Sequence, residues 1–152
     1  MTSTDSRPDR AAMEAAIARH GQAEYDGDIE AVMAGVSAEP VWEFHPLGVR
    51  VTGRDAVRAV YEVQLRELVP RILGSRVRGV SHGPGTCTRE AEYEVRLPDG
   101  STAWGQGITV YRFDPEGLMT AERIYGSGAL VPLVERCFPA TVLRVPGVAV
   151  LR

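Results

Sequence analysis

The sequence contains no lysine, so all 17 of its basic side chains are arginines. This absence excludes a lysine Schiff base, a lysine general base and the lysine of a phosphate-binding loop. The 17 arginines are set against 20 aspartates and glutamates, which gives a formal net charge of −3. A weakly acidic chain argues against nucleic acid or an anionic membrane as the main partner.

Cysteine, histidine and long apolar runs are also scarce. Cys87 and Cys137 are the only cysteines, and their separation fits neither a disulfide framework nor a zinc site, so we expect two buried thiols. The three histidines show no metal-ligand spacing, and we expect neither a metal nor a cofactor. No apolar stretch approaches the ~18 residues of a membrane span. Residues 1–10 are polar and unlike a secretory signal, so we expect a cytoplasmic protein.

The remaining pattern is that of one globular domain. A chain of 152 residues can bury a core and still enclose a pocket. Apolar residues at three- and four-residue spacing predict three helices, over residues 12–23, 29–36 and 57–68. From Ile72 onward the apolar period becomes two, which indicates long antiparallel strands. Helices followed by strands joined through tight turns predict an α+β fold.

The two ends of the chain differ from the rest. We expect residues 1–8 to be flexible and the domain to span residues 1–127. Residues 128–152 form a C-terminal extension in which 129–138 suit a short helix and the Val-rich stretch 141–151 suits an extended arm. An apolar extension avoids water, so it should cover the mouth of a pocket or pack on a partner chain.

Four short motifs then suggest a family. They are Tyr-Asp-Gly-Asp at 25–28, Val-Trp-Glu-Phe-His-Pro at 41–46, Gly-Arg-Asp-Ala-Val-Arg at 53–58 and Tyr-Arg-Phe at 111–113. Their order resembles the nuclear transport factor two-like superfamily, and within it the SnoaL-like polyketide cyclase and ketosteroid isomerase-like branch. The resemblance covers residues 9–127. It implies a cone-shaped, curved antiparallel sheet wrapped around three N-terminal helices, an internal apolar cavity and a homodimer.

The same resemblance nominates two histidines. His45 stands where ketosteroid isomerases carry their aspartate base, before the proline that ends the first strand. His20 takes the position of their oxyanion tyrosine, and Thr109 that of their neutral aspartate. Because all three groups differ, we do not expect a ketosteroid isomerase. Imidazole titrates near neutral pH, so we predict His45 as the base at the cavity mouth and His20 as the group that stabilises the oxyanion.

Other side chains are predicted to bind the ligand. If the family register holds, Arg123 and Tyr125 point into the cavity, where Arg123 binds a carboxylate or carbonyl or pairs with Glu43. A solvated face is an equally good interpretation of this strand. Glu43 lies on the side of His45, which allows an acid–imidazole pair. The remaining candidates for the cavity wall are Tyr25, Trp42, Tyr61, Trp104, Thr109 and Tyr111.

The sequence and the resemblance together predict a cofactor-independent enzyme that binds an apolar polycyclic or polyketide-like ligand. Its reaction would be proton transfer next to a carbonyl, as in an isomerase, a cyclase or a dehydratase. The alternative is a non-catalytic ligand-binding or dimeric scaffold protein, whose histidines are occupied by protein partners. A third interpretation, an epoxide hydrolase, needs a pair of carboxylates in the cavity.

Overall fold

The computed structural model describes residues 7–151, and that part of the chain contains five α-helices and seven strands. The helices are α1 (Arg10–Asp26), α2 (Ile29–Ala34), α3 (Arg54–Glu67), α4 (Leu130–Glu135) and α5 (Ala140–Leu143). The strands are β1 (Val36–His45), β2 (Val49–Thr52), β3 (Ile72–Gly83), β4 (Thr86–Arg96), β5 (Thr102–Phe113), β6 (Met119–Gly128) and β7 (Val148–Val150). We expected residues 1–8 to be flexible, and six of these, residues 1–6, lie outside the described part.

Short-range capping defines the N-terminal helices. Asp9 begins α1 by accepting a hydrogen bond from the backbone N–H of Ala12 at 2.8 Å. Gly27 ends α1 in the left-handed conformation (φ 69°), which glycine adopts without steric cost. Asp28 then caps α2 by accepting from the N–H of Ala31 at 3.0 Å. These caps place α2 directly after α1, and the two helices pack together.

The strands form one sheet in the order β3-β4-β5-β6-β1-β2-β7. This confirms the predicted α+β class with a curved, open sheet. Five of the neighbouring pairs are antiparallel, but β1 runs parallel to β6. The parallel pair differs from the all-antiparallel prediction because β1 enters the sheet from α2 and runs alongside the last long strand.

A β-bulge in β6 determines which of its residues face inward. Arg112 of β5 pairs with Ala121, whereas the next residue, Phe113, pairs with Met119, so Thr120 is an additional residue. Met119 and Glu122 are both buried as a result, although strict alternation would put them on opposite faces. The bulge therefore turns Glu122, rather than Arg123, towards the helices.

The C-terminal extension packs back on the sheet. Leu130 of α4 lies very close to β5. A Cβ added to Gly105 would be 2.5 Å from the backbone nitrogen of Leu130. Leu130 and Val134 also line the internal cavity described below. The extended arm expected for residues 141–151 is wrong in its first part, which completes α5, whereas Val148–Val150 form β7 on the edge of β2.

Two further expectations concern cysteine and membranes. Cys87 and Cys137 are both free and buried, as predicted. None of the helices within residues 7–151 is long and apolar enough to cross a membrane.

Candidate functional site

An internal cavity lies between α1, the C-terminal end of α3 and the inner face of β3–β6. It consists of two adjoining spaces of about 270 Å³ and about 120 Å³. Both spaces are lined by Glu24, Ile72, Tyr93, Tyr111 and Glu122. We expected an apolar cavity, but the wall is mixed, because two carboxylates share it with aromatic and aliphatic side chains.

A buried hydrogen-bond network centred on Tyr61 forms the wall behind the cavity. The Tyr61 hydroxyl lies 2.9 Å from His20 Nε2, accepts from the Trp42 indole N–H at 2.9 Å and donates to Glu122 at 3.1 Å. A tyrosine hydroxyl has one proton to donate, and here that proton goes to Glu122. His20 must then carry its proton on Nε2, since only a donor completes the set. Helix α1, strand β1, helix α3 and strand β6 each supply one member.

Glu122 is the side chain whose electrostatics suit acid–base chemistry best. It is buried, and burial raises the pKa of its carboxyl to about 7. A positive charge on His20 opposes this rise, the Glu24 carboxylate adds to it, and the hydrogen bond from Tyr61 opposes it. A carboxyl that titrates near neutral pH can both accept and return a proton, which is what general acid–base catalysis needs.

His20 carries the complementary charge. Burial lowers its pKa, but the carboxylates of Glu24 and Glu122 more than compensate, so the pKa of His20 is raised overall. Glu24 Oε1 lies 3.4 Å from His20 Nε2, one helical turn along α1. Within residues 7–151, His20 Nδ1 has no hydrogen-bond partner although it is buried. The imidazole is thus held by its Nε2 alone.

Arg89 brings a cation to the same wall. It lies on the inner face of β4, in line with Cys87, Ala91 and Tyr93, and it lines the larger space. Its Nε atom is shielded from solvent and lacks a partner among residues 7–151. A guanidinium in this position can bind an anionic oxygen.

The structure brings several of the predicted side chains together. His20 and Tyr111 line the larger space, Thr109 lines the smaller one, and Trp42 and Tyr61 form the network behind them. Tyr25 is 80% exposed and reaches only the rim of the larger space, because α1 ends beside it. Five of the predicted residues therefore lie at or directly behind the cavity.

Four predicted residues of β1 and β6 lie instead on the outer face of the sheet. Their pairing shows this directly: Trp42 and Phe44 of β1 pair with Glu122 and Ile124 and face inward. The alternate pairs lie on the opposite face and consist of Glu43 with Arg123 and His45 with Tyr125. The expected inward orientation of Arg123 and Tyr125 is wrong because of the bulge at Thr120.

His45 has protein partners on that outer face. Its Nε2 lies 3.3 Å from Glu43 Oε2, and its ring stacks on Tyr125 with the ring centroids 4.9 Å apart. Glu43 also pairs with Arg50 at 2.8 Å. The predicted contact between Glu43 and His45 exists, but the sheet separates both side chains from the cavity, so His45 cannot act as a base there.

Trp104 is also on the outer face. It is 58% exposed, since β5 turns its odd-numbered residues, such as Gly105 and Gly107, towards the helices. Trp104 lines a separate surface pocket of about 440 Å³ with Arg76 and Glu92. It is not part of the cavity wall.

Sequence reasoning missed four titratable residues that line the cavity: Glu24, Arg89, Tyr93 and Glu122. Signals existed for three of them. Glu24 follows His20 by four residues and so lies on the same helix face. Arg89 lies two residues before Ala91 and four before Tyr93, so strand alternation places all three on the same face. Only Glu122 had no local signal, because its orientation depends on how β6 pairs with β5.

Comparison with known proteins gives matches only at the level of structure. No protein-family profile and no curated protein sequence matches the chain. A solved structure of an NTF2-like protein of unknown function from Cytophaga hutchinsonii ATCC 33406 superposes with a TM-score of 0.61 at 19% identity, covering 76% of this chain and 99% of that one.

Two similar structures have names that refer to enzymes. SalBIII, described as an epoxide hydrolase/cyclase-like enzyme in pyran ring formation in the polyether salinomycin, gives a TM-score of 0.65 at 17% identity and covers 78% of this chain and 93% of its own. A Bacillus subtilis protein provisionally named an isomerase gives a TM-score of 0.66 at 16% identity and covers 82% of this chain and 89% of its own. Identities this low establish the architecture alone. The helices on the inner face of an open curved sheet, together with these superpositions, show that the chain has the NTF2-like fold.

Proposed function

We propose that this protein is a cofactor-independent enzyme that transfers a proton next to a carbonyl group of a small organic ligand. The observation that carries the proposal is Glu122, a buried carboxyl with a pKa of about 7 that faces the cavity. The reaction class is that of an isomerase, a cyclase or a dehydratase. Aromatic side chains on the wall suit an apolar polycyclic or polyketide-like ligand.

Three members of the network have a role in the proposed reaction. Ionised Glu122 takes the proton from the carbon beside the carbonyl, and the same carboxyl returns it at another position. Tyr61 positions Glu122 by donating a hydrogen bond at 3.1 Å. Positively charged His20, on the wall of the same space, stabilises the negative charge that develops on the ligand oxygen. Glu122 thus replaces His45 as the base.

The similar structures support this reaction class without specifying the substrate. One is named a cyclase-like enzyme and another an isomerase. An NTF2-like fold hosts many activities, so the argument for this chain rests on the side chains that line its own cavity.

Proton transfer can be tested without the natural substrate. We would incubate the protein with 2-tetralone, a bicyclic ketone with acidic protons beside its carbonyl, in D₂O and follow deuterium incorporation by NMR. The protein should accelerate incorporation above the buffer rate, and Glu122→Gln should reduce the acceleration about 10²- to 10⁴-fold.

A matched variant controls for the substitution itself. Glu39 is an exposed glutamate on β1, and Glu39→Gln should leave the exchange rate near that of the wild-type protein. Exchange by the wild-type protein no faster than by buffer would reject the proposal, as would equal rates for Glu122→Gln and the wild-type protein when both are folded. That result would favour the alternative of a non-catalytic ligand-binding protein.

A second candidate function is hydrolytic opening of an epoxide. It needs two carboxylates in the cavity, and the structure places Glu24 and Glu122 on the wall of the same space. One carboxylate would activate water while the protonated other would donate to the epoxide oxygen. Diol formation from styrene oxide that requires both Glu24 and Glu122 would favour this function, and no diol formation would exclude it for that probe.

A further inference from the structure

Arg89 is a cation that has no ion-pair partner among residues 7–151. Its Nε is buried without a partner, and the side chain makes no hydrogen bond or ion pair with residues 7–151. Several other arginines have such a partner. Arg50, Arg58 and Arg76 each pair with a glutamate at 2.5 to 2.8 Å. An arginine without an ion pair is not in itself unusual here, since Arg96 has none within residues 7–151 but is exposed to water. What distinguishes Arg89 is that its unpartnered Nε is shielded from solvent.

The two carboxylates on the same wall are engaged elsewhere. Glu24 Oε1 accepts from Gln64 at 3.2 Å and lies 3.4 Å from His20 Nε2. Glu122 Oε2 accepts from Tyr61. A buried donor that lacks an acceptor costs free energy, more so when it is charged. Arg89 consequently retains a strong, unused capacity to bind an anionic oxygen that enters the cavity.

Two neutral donors accompany Arg89. Tyr93 and Tyr111 line the same space, and their hydroxyls make no hydrogen bond within residues 7–151. Burial raises the pKa of both phenols, against a smaller opposing effect of Arg89, so both remain protonated at neutral pH. Their rings also provide the apolar surface that an aromatic or polycyclic body needs.

We propose that Arg89 is the anchor for a carboxylate of the ligand, so that the substrates of this cavity are monoanionic carboxylic acids with an apolar body. The inference rests on the proposed function only in taking the cavity as the ligand site. A dianion such as a phosphate monoester is disfavoured, since the carboxylates of Glu24 and Glu122 on the same wall would repel its second charge. A single carboxylate matches the forked geometry of one arginine.

The test compares two ligands that differ in charge but hardly in shape. Binding of 2-naphthoate and of its neutral isostere 2-naphthamide is measured by titration calorimetry at pH 7. The wild-type protein should bind the carboxylate about 10- to 100-fold more tightly than the amide, the range for a hydrogen bond to a charged group. Arg89→Gln should abolish the preference, and Arg89→Lys should keep part of it because the charge remains.

Arg96→Gln is the matched control, since Arg96 is exposed at the end of the same strand. It should keep the full preference. Equal affinities of the wild-type protein for the two ligands, or no binding of 2-naphthoate, would overturn the proposal without reference to any variant. An unchanged preference in folded Arg89→Gln would overturn it too.

The binding and exchange experiments separate this proposal from the proposed function. If 2-naphthoate binds through Arg89 while deuterium exchange into 2-tetralone stays at the buffer rate, the anion site holds and the proton-transfer function fails. If exchange depends on Glu122 while the two naphthalene ligands bind equally, the function holds and the anion site fails.

Discussion

Tyr61 donates a hydrogen bond to Glu122 across 3.1 Å, although both side chains are buried and lie 61 positions apart in the sequence. The same hydroxyl accepts a hydrogen bond from the indole N–H of Trp42. Four elements of the fold converge on this one oxygen atom. It therefore links the stability of the core to the protonation state of the cavity wall.

Removing that hydroxyl should destabilise the protein. Tyr61→Phe leaves buried polar atoms of His20, Trp42 and Glu122 without their shared partner, which should lower the free energy of unfolding by about 1 to 3 kcal/mol. Urea denaturation measures the change. Tyr111→Phe is the control, because the Tyr111 hydroxyl makes no hydrogen bond within residues 7–151 and its loss should have little effect. Equal losses for the two variants would contradict the network.

Glu122 should make stability depend on pH. Its pKa rises from 4.5 to about 7 on folding, so its contribution is complete below pH 4.5 and is lost as the pH rises towards 7. The loss is at most about 3 kcal/mol for a rise of that size. Glu122→Gln cannot ionise and should be less sensitive to pH over this range.

Urea denaturation at several pH values from 4 to 8 measures this dependence, with Glu39→Gln as the matched variant on an exposed site. The wild-type protein and Glu39→Gln should lose stability together across the range, relative to Glu122→Gln. Parallel curves for all three proteins would show that Glu122 titrates as an ordinary surface carboxyl.

Gly105 should be essential for docking of the C-terminal extension. A Cβ at this position would lie 2.5 Å from the backbone nitrogen and 2.7 Å from the Cβ of Leu130. Gly105→Ala should therefore cost about 1 to 3 kcal/mol, as overpacking does. It should also speed hydrogen exchange at the amides of α4.

The control for this substitution is a second strand glycine with free space around it. A Cβ added to Gly74 of β3 would meet nothing within 4 Å. Gly74→Ala should leave α4 protected from exchange. Rapid exchange of α4 in both variants, or in neither, would contradict the tight contact between Gly105 and Leu130.

The outer face of the sheet should mediate self-association. It exposes Trp104 by 58%, Ile108 by 42% and Tyr125 by 43%, whereas α1–α3 pack on the inner face. Uncovered apolar groups of this size are typical of interfaces, and we propose that a second copy of the chain covers them. Light scattering should give the mass of a dimer.

Charge on the outer face should break such a dimer. Ile108→Arg should yield a monomer, whereas Leu143→Arg, an exposed site on α5, should leave the mass unchanged. A monomeric wild-type protein would exclude this face. A dimer that persists in Ile108→Arg but dissociates in Leu143→Arg would exclude it too.

The helices and strands follow from local patterns because their causes are local. Asp28 caps a helix through a hydrogen bond to a residue three positions away, and β4 alternates because one of its two faces is more buried than the other. The same reasoning extends to Arg89, whose position two residues before Ala91 indicates its inward side. These features required no knowledge of the partner strands.

The arrangement of the cavity required more than local pattern. Two histidines were nominated as a pair, yet the structure separates them by the thickness of the sheet: His20 lies inside and His45 outside. The pairing of β1 with β6 fixes which side chains of both strands face inward. Pairing of strands so distant in sequence is a tertiary property that no single segment encodes.

The extra residue in β6 also has an evolutionary consequence. Deleting Thr120 would keep Glu122 inward, because Ala121 would then follow Met119 directly. Inserting one residue after Ala121, with the β5 pairing near Phe113 kept, would instead turn Arg123 and Tyr125 inward in place of Glu122 and Ile124. A gain of one codon would thus exchange an acid for a cation on the cavity wall. The preference of this scaffold for a ligand charge can therefore change when the side chains of β6 exchange faces, without any substitution on the cavity wall.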